Sequence, residues 1–199
     1  MLFRSHSMLD HFTPDDPQKY IITADRGYES YDLLFHCEFK NLGYVFRVKS
    51  PSSPKSILSY YASELPDDLE EFDVTIKRFF TDKATNIMKS QSDVYRYINP
   101  SKNTPHFYEL LRKNHSHLYF LQFRVVKIKT AENTYEYLIT NLPFSFTLDD
   151  IRECYHWRWG IEISLHYLKH AAGILYFHSK QPESSSCAGI PAGTSILSG

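Results

Sequence analysis

Four side chains capable of chemistry recur at helical spacing late in the chain: Tyr155, Arg158, Glu162 and Lys169, a Y-x2-R-x3-E-x6-K pattern. At about 100° per residue on an α-helix they share an arc of roughly 60°. Beside that arc runs an apolar stripe of Cys154, Trp157, Ile161, Leu165 and Leu168, which predicts burial along the stripe with the polar seam at its margin. A carboxylate held at such a margin is rigid and partly desolvated. Arg158 and Glu162 stand i,i+4 in the weaker order, Arg before Glu, so an ordinary surface ion pair is the plain alternative. The whole pattern is rarer than that pair. With each type at about one residue in twenty, it arises by chance in roughly one chain in a thousand of this length. A further acidic residue, Asp25, closes the apolar run Tyr20–Ala24 and opens the turn signal Asp25-Arg26-Gly27.

Other groupings carry less. His166 and His170 stand i,i+4, a zinc-compatible spacing, but without the Glu of an H-E-x-x-H motif; they read as exposed or packed histidines. His115 and His117 flank a turn and read the same way. His36 and Cys37 are adjacent, and adjacent side chains on a helix do not face one another. Trp157 and Trp159 read as packing residues. Lys77, Arg78, Lys83 and Lys89, interleaved with Tyr and Phe, offer either a DNA-contacting face or a solvated charged one.

These residues must be positioned by recognisable elements. Tyr20–Ala24 predicts a strand, Ser30–Lys40 a helix stopped by Asn41 and Gly43, and Tyr44–Lys49 a second strand closed by the Ser/Pro cluster Ser50–Pro54. Phe72, Val74 and Ile76 alternate with polar residues as a half-buried strand does. Val94–Ile98 adds a short strand and Pro105–Lys113 a helix. Tyr119–Lys129 and Tyr135–Ile139 flank the turn Thr130–Asn133 as a hairpin. Thr147-Leu148-Asp149-Asp150 fits a capping box with Asp in place of Glu, opening a helix that runs to about Ala172 and stops at Gly173.

Composition narrows the classes. Lys plus Arg number 22 against 23 for Asp plus Glu, a net charge of −1, so no large single-signed field exists. Aromatic residues make up 16%, which excludes disorder over most of the 199 residues. No apolar run approaches a membrane span, and no secretory h-region opens the chain. Three widely spaced cysteines suit a reducing cytoplasm and no disulfide framework. Residues 184–199 hold no charged or aromatic residue but five Ser and three Gly, which predicts a flexible or foreign tail.

Tyr155, Arg158, Glu162 and Lys169 resemble the YREK signature of a group of bacterial insertion-sequence transposases with a DDE active site. Asp25, within Ile22-Thr23-Ala24-Asp25-Arg26-Gly27-Tyr28, resembles the second Asp motif of the same group, and His178-Ser179-Lys180 is similar to the family too. The resemblance covers roughly residues 18–182. It implies an α/β fold, a partial ribonuclease-H-like core with a β-rich insertion. The pieces are a remnant or loop at 1–17, the first part of the core at 18–49, the insertion at 50–145, the second part at 146–182 and a divergent tail at 183–199. It further implies cleavage and joining of transposon-end and target DNA in the bacterial cytoplasm, at the nucleoid, by an intact enzyme that is a homodimer. Asp25 and Glu162 would be catalytic ligands of two Mg²⁺ (or Mn²⁺) ions about 3.5–4 Å apart, and Tyr155, Arg158 and Lys169 would contact phosphates. Hard Mg²⁺ prefers oxygen ligands, and Arg grips phosphate as a fork where Lys acts as a point charge.

A first Asp is also expected, three strands upstream of Asp25. Strands of about 5–6 residues with hairpin loops of 2–5 need at least ~25 residues for that, and Asp10, Asp15 and Asp16 all lie closer. The sequence therefore reads as a C-terminal part of a transposase, inactive by itself. The alternatives are a non-catalytic DNA-binding or inhibitory fragment, or a decayed reading frame.

Overall fold

The computed structural model describes residues 9–83, 85–99 and 104–158. Glu162, Lys169, the histidines at 166 and 170, Trp159, the rest of the expected long helix and the tail lie outside them.

The first unit is a strand–helix–strand crossover. β1 (Ile21–Ala24) leads through a 3₁₀ turn at Arg26–Tyr28 into α1 (Tyr31–Phe39). Ser30 caps α1, its side chain accepting from the Leu33 amide at 3.2 Å. Asn41, at φ 55°, takes the left-handed conformation that ends the helix. β2 (Gly43–Val48) then pairs in parallel with β1, Ile21 opposite Gly43 and Ala24 opposite Phe46. Gly43 allows this close return, since a Cβ there would lie 3.1 Å from both the Tyr20 carbonyl oxygen and Leu142 Cδ2.

β3 (Phe72–Thr81), α2 (Asn86–Ser90), β4 (Tyr95–Tyr97), α3 (Pro105–Lys113), β5 (Leu118–Ala131) and β6 (Thr134–Thr140) follow. Asn133, at φ 56°, turns the β5–β6 hairpin. The six strands form one sheet in the order β1-β2-β6-β5-β3-β4. β1/β2 and β3/β4 are parallel and the other pairs antiparallel. Because β2 pairs with β6, Val45 opposite Thr140, the strands of residues 50–145 and the opening crossover share one continuous sheet.

Side-chain alternation gives this sheet two buried faces. On one, Tyr44, Phe46, Val48, Val125 and Ile139 meet α1 and α3 through Leu34, Phe35 and Phe107. On the other, Val45, Val126, Ile128 and Leu138 meet a further helix, α4 (148–158), through Ile151 and Tyr155. This corrects the expected orientation of α4. Trp157, placed by its spacing in the buried stripe, is 67% exposed, whereas Ile151 and Tyr155 are fully buried. The buried side is rotated toward the arc that carries Arg158, because the phenol ring of Tyr155 supplies apolar area despite its hydroxyl.

Candidate active site

Asp25 follows β1 with extended backbone (φ −85°, ψ 162°), so strand alternation continues through it. Ile21 packs on the α4 face, while Ile22 and Ala24 pack on the α1 face. Asp25 therefore belongs to the α4 face. Its contacts agree: Arg47, two positions beyond Val45 on β2, donates from Nη1 to Asp25 Oδ1 at 3.4 Å. The other terminal nitrogen of Arg47 pairs with Glu136 Oε1 at 2.9 Å. Glu136, on β6, is 6% exposed, and its Oε2 is buried without a hydrogen-bond partner among the described residues. Three adjacent strands thus bring two carboxylates to one guanidinium, and the Asp25 side chain keeps 39% of its surface in water.

Four devices fix α4 over the same face. Thr147 and Asp150 form the expected capping box: the Asp150 amide donates to Thr147 Oγ1 at 3.2 Å and the Thr147 amide donates to Asp150 Oδ2 at 2.7 Å. These bonds hold the Asp150 carboxyl below its ordinary range. Arg124, buried on β5, donates from Nη1 to the carbonyls of Leu142, Pro143 and Phe146 at 3.2, 2.9 and 3.0 Å, gathering the loop that feeds the helix. Arg124 also pairs with Asp73 on β3. Arg152 reaches Glu71 at 2.7 Å. Ile151 and Tyr155 supply the apolar contact. On the last described turn, Arg158 donates from Nη2 to the Tyr155 hydroxyl at 3.0 Å and lies 5.0 Å from the ring centroid. Tyr155 thereby orients a fork-shaped cation on the face that carries Asp25.

A second group lies on the other face. Asp10, His36 and His106 bring three ligand atoms within 4.8 Å of one another, a cluster able to hold a metal ion. His36 comes from α1 and His106 from the first turn of α3. Asp32, buried on α1, accepts from the His106 amide at 3.0 Å and meets its Nδ1 at 2.8 Å, so one carboxylate both caps α3 and fixes the imidazole. Burial depresses the His106 pKa, but the bond to Asp32 and the charges of Asp32, Glu109 and Asp10 outweigh it and leave the imidazole above its ordinary value.

Three members of the weaker groupings, Arg78, His117 and Cys37, resolve as structure. Arg78 is buried in an ion pair with Glu64, so it is not part of an exposed basic face. His117 meets Asp82 at 3.0 Å. Cys37 is fully buried, and desolvation pushes its thiol far above the range of a nucleophile.

The family model of the transposase DDE domain matches residues 4–190. The chain belongs to this family. No curated protein matches it. The DDE transposase domain therefore carries two ionisable groups that share no residue. The one at Asp25 offers oxygen donors, which suit hard cations; the one at His36 mixes nitrogen and oxygen. Among the described residues, no helix is long and apolar enough to cross a membrane. Of the residues singled out in the sequence, Asp25, Tyr155 and Arg158 stand on one face, while Glu162 and Lys169 lie outside the described residues. Sequence reasoning missed Arg47, Glu136 and the Asp10–His36–His106 cluster, whose members are brought together by strand and helix pairing that no local motif encodes.

Proposed function

We propose that this DDE transposase domain serves cut-and-paste DNA transposition, built on a ribonuclease-H-like core with residues 50–145 as its β-rich insertion. Asp25 and Glu162 are its metal-binding carboxylates, and Tyr155, Arg158 and Lys169 its contacts to transposon-end and target DNA. The observation that carries this reading is the shared face: Asp25 ends a parallel strand on the side of the sheet against which the helix of Tyr155 and Arg158 packs. The donors fit Mg²⁺ or Mn²⁺, since Asp25 is open to solvent and the buried Glu136, on the same guanidinium, has one oxygen with no partner among the described residues. When bound, such ions supply activation of a water or 3′-hydroxyl and stabilise the leaving oxygen.

The chain's own residues do the positioning. Arg47 holds the Asp25 carboxylate against the sheet, and Tyr155 aims the Arg158 guanidinium, whose planar fork matches two phosphate oxygens. We read these residues as inactive on their own. Asp10 pairs with His36 and His106, on the face of the sheet opposite Asp25.

A DNA-binding titration across salt concentrations, paired with a plasmid-nicking assay, tests this. Binding should weaken with salt, and Arg158→Ala and Lys169→Ala should each reduce the slope of log K against log salt by about 1. No nicking is expected with Mg²⁺ or Mn²⁺. Nicking that disappears in both Asp25→Ala and Glu162→Ala would overturn the inactivity while supporting both ligands. A salt slope unchanged in both basic variants would remove the phosphate roles.

A further inference from the structure

We propose that Asp10, His36 and His106 form a binding site for a transition-metal cation of the zinc class, distinct from the carboxylates around Asp25. The donor set is two imidazole nitrogens and one carboxylate oxygen, which favours Zn²⁺ and its neighbours over Mg²⁺. The three ligand atoms lie within 4.8 Å of one another, near enough for a small rearrangement to gather them on one ion. A tetrahedral ion with bonds of about 2.0–2.1 Å holds its ligand atoms about 3.3 Å apart. Asp10 Oδ1 lies 3.3 Å from His36 Nε2 and 3.6 Å from His106 Nε2.

Two further features show a site partly built in advance, the Asp32–His106 contact and the anchoring of Asp10. Asp32 is acceptor-only when ionised, so its 2.8 Å contact places a proton on His106 Nδ1 and turns Nε2 toward Asp10; this is the carboxylate–histidine relay found behind metal-bound imidazoles. His36 is 1% exposed and stacks on His106 with ring centroids 3.6 Å apart and planes 10° from parallel. Binding one ion requires these rings to fan apart so that both Nε2 lone pairs meet at a point. Asp10 is placed independently of any ion. Lys40, beyond the end of α1, donates to the carbonyls of Asp10 and Phe12 at 3.0 and 2.9 Å and to that of Leu9, fixing the segment that carries the carboxylate. The Asp10 side chain is 53% exposed, so the cluster is reached from solvent at that end. An ion here clamps the segment before β1 onto α1 and α3.

Titration of the full chain with Co²⁺, whose visible absorption reports low-symmetry nitrogen and oxygen ligation, reads this site without any assay of activity. One equivalent should develop a protein-bound band, which stoichiometric Zn²⁺ abolishes and excess Mg²⁺ does not. Asp10→Ala alters a half-exposed side chain and leaves the fold in place; it should weaken Co²⁺ at least tenfold. Asp32→Asn should weaken it 10- to 100-fold through the lost relay. Asp25→Ala should leave the band unchanged. No band at stoichiometric Co²⁺, a band indifferent to Asp10→Ala, or a band lost with Asp25→Ala would each overturn the proposal.

Discussion

Replacing Arg124 with Met tests how α4 is held over the sheet. The guanidinium serves three backbone carbonyls of the 142–146 loop and the Asp73 carboxylate, and it packs 4.6 Å from the Phe144 ring centroid. Met keeps most of the aliphatic stem but none of the donors. The Leu142 carbonyl stays buried, and an unsatisfied buried acceptor costs about 1–3 kcal/mol. Asp73, at 21% side-chain exposure, loses its counter-charge. Breaking a fully buried pair from one side costs about 3–5 kcal/mol; Asp73 is part-exposed, so its share is smaller and the sum with the Leu142 carbonyl stays near that size. Urea unfolding should show that loss as a lower midpoint at unchanged slope. Amide exchange should accelerate first in 148–158, the helix that the loop delivers. Arg124→Lys should fall between wild type and Met, since an ammonium cannot span the same acceptors. A loss below about 1 kcal/mol for Arg124→Met, or acceleration spread evenly over the sheet, would refute this account of how the helix is anchored.

Ile151→Ala should cost about 2–5 kcal/mol in the same unfolding assay, because the side chain is fully buried between α4 and the sheet. Tyr155→Phe keeps the ring but removes the oxygen that accepts from Arg158; stability should change by about 0.5–1.5 kcal/mol, while DNA affinity falls in step with Arg158→Ala. Glu38, which accepts from Asn141 and Tyr119, has its carboxyl raised by burial despite those bonds. Its folded pKa exceeds the unfolded one, so its contribution is full below about pH 4.3 and is lost as pH rises through the folded value. Glu38→Gln should therefore gain stability relative to wild type with rising pH, as urea midpoints across that window would show.

What could be read from the sequence was what local chemistry decides. Ser30, Asn41, Asn133 and the Thr147/Asp150 pair each act within a few residues, so the elements they bound were legible. Asp25 was legible as a strand-end carboxylate. Its neighbour Arg47 was not, because their meeting depends on the parallel register of β1 and β2; Glu136 depends in turn on β2 finding β6. Asp32 and His106 are 74 positions apart and meet only when α1 packs on α3. Trp157 shows the remaining weakness. A helical wheel ranks residues by apolarity, and Tyr155, polar by type, takes the buried place through its ring.

The pairing of β2 with β6 also sets a timetable for synthesis. Val45 cannot meet Thr140 until about ninety-five more residues have left the ribosome, and at roughly 5–20 residues per second that is several seconds or more. Through that interval the nascent β1–α1–β2 segment shows Phe46 and Val48 to its surroundings with no hairpin to cover its inner edge. A message or peptide cut short anywhere before residue 134 would release that segment with its adhesive edge still open, so chaperone capture during translation should be strongest here and end when the β5–β6 hairpin emerges.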